Sequence, residues 1–357
     1  MRLPEGIFNT SYAKDTAIIR TRWQWFLFVL LLILLFTLPP LFGNRHQLQL
    51  ANIIGISIIA VLGLNVLTGC AGQISLGQAA FTAVGGYTAA AFAVKLDLPF
   101  WLAIPAAAIV AGLVGLIFAL PAARIKGFYL AMSTLAAHFI ILWVVKIIPD
   151  ITDGINGMRV PPPELGGFSF DTPQRLYFLI IPIVIIMAFL ARNFVRTKVG
   201  RAMIAVRDND LAAEVMGVNT FKYKVLAFTI CSAYAGVAGA LLAYNHKFVH
   251  PDSYPLMDAI WYLGMLIVGG MGSVSGAILG TIFIRVLNDL TATELVPFIS
   301  DTWPSMSAEV AASMGPLTFG LILMLFLIFE PRGIIHRWEL FKASYRLWPF
   351  AHAPGGR

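Results

Sequence analysis

Apolar runs recur along the whole chain, and this feature constrains the fold more than any other. Of the 357 residues, 59% are hydrophobic and only 12% are charged, whereas a soluble globular chain has about 25% charged residues. Several runs reach the roughly 20 residues that a membrane-spanning helix needs. Because backbone groups in lipid must pair within the protein, and no alternating β-barrel pattern is present, only helices fit. The sequence predicts an all-α polytopic membrane protein, with one transmembrane domain over residues 1–357.

We predict about ten transmembrane helices within a membrane core at 25–331. They fall near 26–42, 50–67, 77–94, 100–121, 127–148, 176–194, 225–245, 258–269, 276–290 and 313–330. The first run follows Arg20 and Arg22 and so resembles a signal peptide, but it continues without a small-residue cleavage site. It is therefore interpreted as a retained span.

Charged residues outside these runs are segregated by sign. Four Lys or Arg precede the first run, seven lie at 192–224 and five follow Pro331, whereas the loops at 149–175 and 288–312 are acidic. Lys and Arg concentrate in the cytoplasmic loops of membrane proteins. With ten spans every basic segment falls on one side, so both termini and a basic tail at 332–357 are predicted to be cytoplasmic. The same segregation explains the net charge of +7 without a nucleic-acid partner.

Two glycine-rich segments interrupt the apolar pattern, one at 65–78 and the other at 268–277. Glycine is a poor helix former, so both segments predict broken helices. Broken backbone at membrane depth is tolerated only where protein or a water-filled cavity covers it, and it forms substrate sites in transporters. The alternative is a tight turn followed by small residues that let helices pack closely. The predicted helix breaks are Gly69, Gly72, Gly77, Gly269 and Gly272, and the candidates for lining a solute pathway are Asn65, Thr68, Gln73, Ser75, Gln78, Ser273 and Ser275.

The two segments also share a pattern. Gly69-x-x-Gly72-x-x-Ser75 recurs later in the chain as Gly269-x-x-Gly272-x-x-Ser275. Such self-similarity indicates a possible internal structural repeat. The ten-span count makes the two copies parallel, whereas many transporters contain inverted repeats.

The basic loop at 195–224 is predicted to contain two short helices. Residues 202–206 are apolar with helical spacing, and either Asp208 or Asp210 can cap a second helix. Gly217 is placed to end that second helix. An exposed apolar face on one of them must be buried, either by a partner protein or by the lipid headgroups.

Isolated polar residues and cysteines within the spans have structural interpretations. Arg285 precedes Asp289 by four residues, which favours a structural ion pair near the outer end of a span over a transport role. His138 stands alone in an apolar run and is predicted to hydrogen-bond to a neighbouring helix. Cys70 and Cys231 are predicted to be small packing residues. Neither a phosphate-binding loop nor a zinc-binding motif occurs, so the sequence predicts neither that mode of ATP binding nor a metal site.

These segments resemble the permease family of bacterial high-affinity branched-chain amino acid ABC importers, over most of the chain from 53 to 333. The loop at 200–217 is the strongest match, and with Phe329-Glu-Pro-Arg-Gly333 it favours the larger of the two related permease subunits. One departure is Asp153, where the family's outer loop is expected to have a glycine. The matching stretches are 63–78, 126–136, 152–157, 200–202, 205–208, 212–217 and 329–333.

The resemblance implies a permease subunit that provides the translocation pathway of an ATP-binding-cassette importer for leucine, isoleucine and valine. It implies the bacterial inner membrane, no cofactor and no enzymatic activity in this chain. The implied partners are a second permease subunit in a heterodimer, two ATP-binding-cassette ATPase subunits and a periplasmic substrate-binding protein. The resemblance also implies a coupling role toward an ATPase for the loop at 195–224, through Arg201, Arg207, Asp208, Ala212, Ala213, Glu214 and Gly217.

Two alternatives for the function stay open. An uncharged polar lining with apolar surroundings suits a zwitterion with an aliphatic side chain, but it suits urea or short amides nearly as well. A secondary transporter or channel would need no partner. Such proteins usually have ionisable residues within their spans, and the spans of this chain contain few.

Overall fold

The computed structural model describes residues 43–125, 127–297 and 308–347, together with seven residues between 26 and 37. The described part is almost entirely helical. The α-helices are α1 (Arg45–Leu64), α2 (Gln78–Lys95), α3 (Phe100–Ala122), α4 (Phe128–Ile147), α5 (Pro173–Arg196), α6 (Lys198–Asp208), α7 (Asp210–Val215), α8 (Thr220–His246), α9 (Leu256–Gly269), α10 (Val274–Leu290), α11 (Ala308–Phe329) and α12 (Ile334–Leu347), besides a single turn at Pro149–Thr152. Two π-helical turns, Asn65–Cys70 and Thr291–Leu295, extend α1 and α10. The strands are β1 (Met158–Arg159), β2 (Glu164–Leu165), β3 (Phe168–Ser169) and β4 (Phe248–Val249).

Six of the described helices are long and apolar enough to cross a membrane. They are Arg45–Cys70, Phe100–Ala122, Phe128–Ile147, Pro173–Arg196, Thr220–His246 and Val274–Leu295. A seventh span results if α11 and α12, which bend by 43° relative to one another, are counted together. The chain is therefore a helical, multi-pass membrane protein, as predicted.

The count of ten spans stays a prediction. Nine of the ten predicted spans fall within the described residues, and each coincides with a helix. However, α2 and α9 are not among the six candidates. The 14 residues of α9 make a helix of about 21 Å, which is shorter than the roughly 30 Å of a bilayer core. The first predicted span, at 26–42, lies outside the described residues apart from the seven residues noted above.

Helix α8 lies at the centre of the bundle and packs against α1, α2 and α3. Small residues bring these helices close together, as is usual in membranes. A Cβ atom on Gly236 would lie 2.5 Å from the carbonyl oxygen of Ala107 in α3. A Cβ atom on Gly239 would lie 2.8 Å from the backbone nitrogen of Gly86 in α2. Neither glycine therefore has room for a side chain.

Both cysteines are buried free thiols. Cys231 lies in α8, where its Sγ donates a hydrogen bond of 3.0 Å to Oε1 of Gln78. Cys70 ends the π-helical turn and belongs to the main apolar core. Their predicted role as small packing residues is confirmed.

Contacts between loops divide the loops into two groups. In the first group, β1 pairs antiparallel with β4, and Lys146 forms an ion pair of 3.1 Å with Asp252. In the second group, Arg207 of the loop at 195–224 donates a hydrogen bond of 2.8 Å to the Gly69 carbonyl oxygen, where the chain leaves α1. Each of these contacts joins segments that the ten-span prediction assigns to the same side of the membrane.

Asp153, which stands where a glycine is expected, lies in the loop between α4 and α5. This residue has a φ of 54°, in the left-handed region that glycine adopts without steric cost. Its carboxylate accepts a hydrogen bond of 3.1 Å from Lys95, a contact that a glycine would lack. In the same loop, a hydrogen bond from Lys247 and the positive charge of that lysine hold the pKa of Asp171 below its usual range.

Candidate functional site

The first glycine-rich segment follows a widened end of α1. The helix passes into the π-helical turn Asn65–Cys70, and regular helix resumes only at Gln78. Within the break, Thr68 donates a hydrogen bond of 3.0 Å to the carbonyl oxygen of Gln73. Gly72 has a φ of 68°, which allows the chain to reverse without the strain that a side chain would cause.

The second glycine-rich segment is a shorter turn between α9 and α10. Gly270 and Gly272 have φ angles of 112° and 85°, and the Ser273 hydroxyl caps α10 by accepting a hydrogen bond of 3.1 Å from the Gly276 N–H. Ser275 lies in the first turn of α10 and is exposed. Gly272 therefore matches the positive φ of its counterpart Gly72, although the helices before the two glycines differ. The internal repeat stays a prediction.

The two segments meet in space. The side-chain oxygen of Asn65 accepts a hydrogen bond of 2.8 Å from the Gly272 N–H. A Cβ atom on Gly69 would lie 2.9 Å from the Gly272 Cα atom and would also strike the Asn65 side chain. The contact therefore depends on glycine at both positions and on the amide at position 65.

The polar side chains of the first segment point into the protein. The buried residues are Asn65, Thr68, Gln73, Ser75 and Gln78, each at most 5% exposed. Gln78 donates a hydrogen bond of 2.8 Å to the Ala60 carbonyl oxygen, and the Ser75 hydroxyl accepts one of 3.2 Å from the Gly77 N–H. Within the described residues, by contrast, the side-chain oxygen Oε1 of Gln73 has no hydrogen-bond partner. The pathway role of these side chains stays a prediction.

Helices α6 and α7 form the predicted pair in the loop at 195–224. The Asn209 side chain caps α7 by accepting a hydrogen bond of 3.0 Å from the Ala212 N–H. The expectation that Asp208 or Asp210 would provide this cap is wrong. Asp208 is instead bonded to the neighbouring guanidinium of Arg207, at 2.9 and 2.7 Å, and Asp210 is the first residue of the helix.

Gly217 ends α7 as predicted. Its φ is 84°, and its N–H donates to the Glu214 carbonyl oxygen at 2.9 Å, while the Val218 N–H donates to that of Ala213 at 2.9 Å. This pair of hydrogen bonds is the Schellman motif that closes many helices.

The exposed apolar residues of the loop belong to α7 and its end. Leu211, Val215 and Met216 are 68%, 87% and 82% exposed, and we call them the α7 face. On α6, by contrast, Met203 and Val206 are buried within the chain. Of the other residues implied in coupling, Arg201, Ala212 and Glu214 are exposed and Ala213 is buried.

Arg207 connects this loop with the first glycine-rich segment. Its Nη1 donates a hydrogen bond of 2.8 Å to the Gly69 carbonyl oxygen. Arg207 also borders a cavity of about 360 Å³ that is lined by Gln73, Asp210 and Lys224 among others. No signal in the sequence links Arg207 with Gly69, since 138 positions separate them.

The predicted ion pair between Arg285 and Asp289 is wrong. Arg285 donates from Nε to the Ser57 hydroxyl of α1 at 3.0 Å, while Asp289 pairs with His46 at 3.0 Å. Arg285 also interacts electrostatically with Asp258 in the first turn of α9. The sequence signal that could have pointed to Asp258 is its position as a lone acidic residue at the start of an apolar run.

His138 also differs from its prediction. The side chain is buried, but within the described residues its Nδ1 has no hydrogen-bond partner. Its ring instead packs edge-on against Phe139, with ring centroids 5.6 Å apart.

Comparisons with known proteins cover most of the chain. Residues 47–329 match the family described as "Branched-chain amino acid transport system / permease component". The high-affinity branched-chain amino acid transport system permease protein LivM of Escherichia coli (strain K12) is 30% identical, over 87% of this chain and 74% of LivM. The probable branched-chain amino acid transport permease protein LivM of Methanocaldococcus jannaschii is 26% identical, over 66% of this chain and 67% of that protein.

A relative with a different named solute also matches. The ribose import permease protein RbsC of Haemophilus influenzae is 26% identical, over 74% of this chain and 82% of RbsC. No solved structure matches the chain. Because the family match covers most of the chain, this protein belongs to the family of permease components of branched-chain amino acid transport systems.

Proposed function

We propose that this chain is the larger permease subunit of an ATP-binding-cassette importer and that it forms part of the pathway for leucine, isoleucine and valine. The observation that carries the proposal is the family match over residues 47–329. Two of the three relatives described above are named for branched-chain amino acid transport. Neither those names nor the family description favours the urea alternative.

The α7 face supports an ATPase partner. Three large apolar side chains that are at least 68% exposed are costly in water, and contiguous exposed apolar surface marks interaction sites. The Schellman motif defines the end of α7, so the helix places these side chains on one surface of the loop at 195–224. We assign this loop to coupling, the region 25–331 to the membrane core and the residues at 332–357 to a cytoplasmic tail.

The remaining partners follow from the same proposal. One permease chain forms part of a pathway between two subunits, so a second, related permease completes it. ATP hydrolysis lies in two separate ATPase subunits. A periplasmic protein delivers the solute to the permease at the outer face of the inner membrane. A stand-alone secondary transporter would leave the α7 face without a function.

Loss of the chain should abolish high-affinity leucine uptake and leave urea uptake unchanged. Labelled leucine and labelled urea are compared in cells that lack the chain, cells that carry it and cells that carry an unrelated membrane protein at the same level. If leucine uptake stayed unchanged and urea uptake were lost, the solute would be urea and the branched-chain assignment would be wrong.

We expect both termini to be cytoplasmic, because the basic segments all fall on one side of a ten-span chain. Single cysteines at Ser169 and Ser300 should react with a membrane-impermeant maleimide from outside, and one at Ser344 only after the membrane is opened. Replacement of Cys70 and Cys231 removes the native thiols, which are buried. Labelling of position 344 from outside would contradict this orientation. Ser300 lies outside the described residues.

A further inference from the structure

We propose that Arg207 transmits movement of the coupling loop to the two glycine-rich segments. This inference rests on the proposed function, since it gives the coupling loop a mechanical connection to the membrane core. Three parts of the chain that are distant in sequence meet at Asn65, Gly69, Arg207 and Gly272, and we call these four residues the junction.

The first step is the fit of the arginine. Its Nη1 donates to the Gly69 carbonyl oxygen at 2.8 Å, and a Cβ atom on Gly72 would lie 2.8 Å from its Cγ atom. A Cβ atom on Gly272 would lie 3.1 Å from the same Nη1. The side chain therefore fills a space bounded by both glycine-rich segments, and a movement of α6 that carries the guanidinium with it would displace at least one of them.

The second step is the orientation of the guanidinium. Nε and Nη2 both donate to Oδ1 of Asp208, at 2.9 and 2.7 Å, which leaves Nη1 directed at Gly69. Two donors on one carboxylate oxygen, together with the Nη1 bond to Gly69, restrict the plane of the guanidinium. Asp208 ends α6 and directly precedes the cap of α7, so the orientation of the guanidinium is tied to the helix that carries the α7 face.

The third step is the mobility of the receiving segments. Gly72 and Gly272 have φ angles of 68° and 85°, and glycine changes between backbone regions at little steric cost. A hydrogen bond from the Gly272 N–H to the Asn65 side chain joins the two segments at this point. Hinges in proteins consist of a few such positions that absorb a large backbone change. Movement of α6 would therefore pull the Gly69 carbonyl and separate Gly69 from Gly272.

The test uses the complete complex in proteoliposomes, with Arg207→Gln compared against Arg45→Gln. Arg45 is an exposed arginine at the start of α1, outside the loop at 195–224. Arg207→Gln should assemble and lower leucine uptake by at least about tenfold, the factor that corresponds to a lost hydrogen bond from a charged donor. Arg45→Gln makes the same change of charge on an exposed surface and should keep uptake within about twofold of normal. Uptake by Arg207→Gln equal to that of Arg45→Gln, or failure of Arg207→Gln to assemble, would overturn the proposal.

A second measurement does not depend on the solute. Spin labels at Ile74 and Met271, which are 48% and 54% exposed, report the separation of the two segments in a Cys70→Ala, Cys231→Ser background. The separation should change when ATP binds to the complex, and Arg207→Gln should remove that change. An identical change with and without Arg207 would overturn the proposal. If the unmodified complex hydrolyses ATP but does not transport leucine, the solute assignment fails, and the spin-label distances still decide the role of Arg207.

Discussion

Val215→Glu should abolish solute uptake without lowering the amount of the protein in the membrane. Val215 is 87% exposed at the end of α7, so a glutamate there contacts only water in the isolated chain. Surface substitutions of this kind usually change stability by no more than about 0.5 kcal/mol. Against an ATPase, however, the same carboxylate would be buried without a partner, at a cost of about 3 kcal/mol or more. That cost corresponds to a loss of more than about 100-fold in affinity.

The measurement is copurification of the ATPase subunits with the permease, together with uptake in the same cells. Val215→Leu is the matched control, because it keeps an apolar side chain at the same position. It should keep both the copurification of the ATPase subunits and the uptake.

Glu214→Lys and Gly217→Trp should also abolish uptake. Gly217 has a φ of 84° and open space around it, so the tryptophan adds strain of about 1–2 kcal/mol and projects from the loop. Normal uptake and copurification by Val215→Glu would remove the α7 face as a docking surface.

The features of the loop that the sequence could predict are those decided within a few residues. Gly217 ends α7 because a positive φ is needed there, and the hydrogen bonds that close the helix reach back only to Ala213 and Glu214. The cap at the other end was missed for a physical reason. Asp208, Asn209 and Asp210 all have suitable side chains, and Asn209 provides the cap because it is the extended residue between Asp208, which still belongs to α6, and Asp210, which already belongs to α7.

Contacts between distant segments could not be predicted in the same way. Spacing along one helix suggested that Arg285 pairs with Asp289, but the actual partner of Arg285 is 228 positions away. Regular helix is interrupted within both glycine-rich segments, at 71–77 and at 270–273, as glycine content predicts. Gly69 and Gly269, however, are two predicted helix breaks that still lie in helix, the first in the π-helical turn and the second at the end of α9. The direction of the polar side chains depends on neighbouring helices: Gln78 bonds to Ala60 and Cys231, which no local pattern indicates.

Gly239→Ala should strongly destabilise the folded chain, whereas Gly112→Ala should have almost no effect. Both glycines are buried in packed helices, Gly239 in α8 and Gly112 in α3. The two substitutions add the same methyl group, so only the available space differs. At position 112 the nearest atoms, which belong to Ala233 and Thr229, are 3.6 Å from the new Cβ, an ordinary van der Waals distance.

At position 239 the new methyl would strike the Thr82 carbonyl oxygen and would lie 2.8 Å from the Gly86 nitrogen. Both are backbone atoms of α2, so no side chain can turn away and the two helices must separate. Excess volume in a packed core costs about 1–3 kcal/mol and sometimes more, and here the separation also loosens the neighbouring contact of Gly236 with α3. The midpoint of thermal unfolding in detergent and the monodisperse fraction on size exclusion should fall sharply for Gly239→Ala and stay unchanged for Gly112→Ala. If the two variants behaved alike, close approach of α8 and α2 would not be what holds the bundle together.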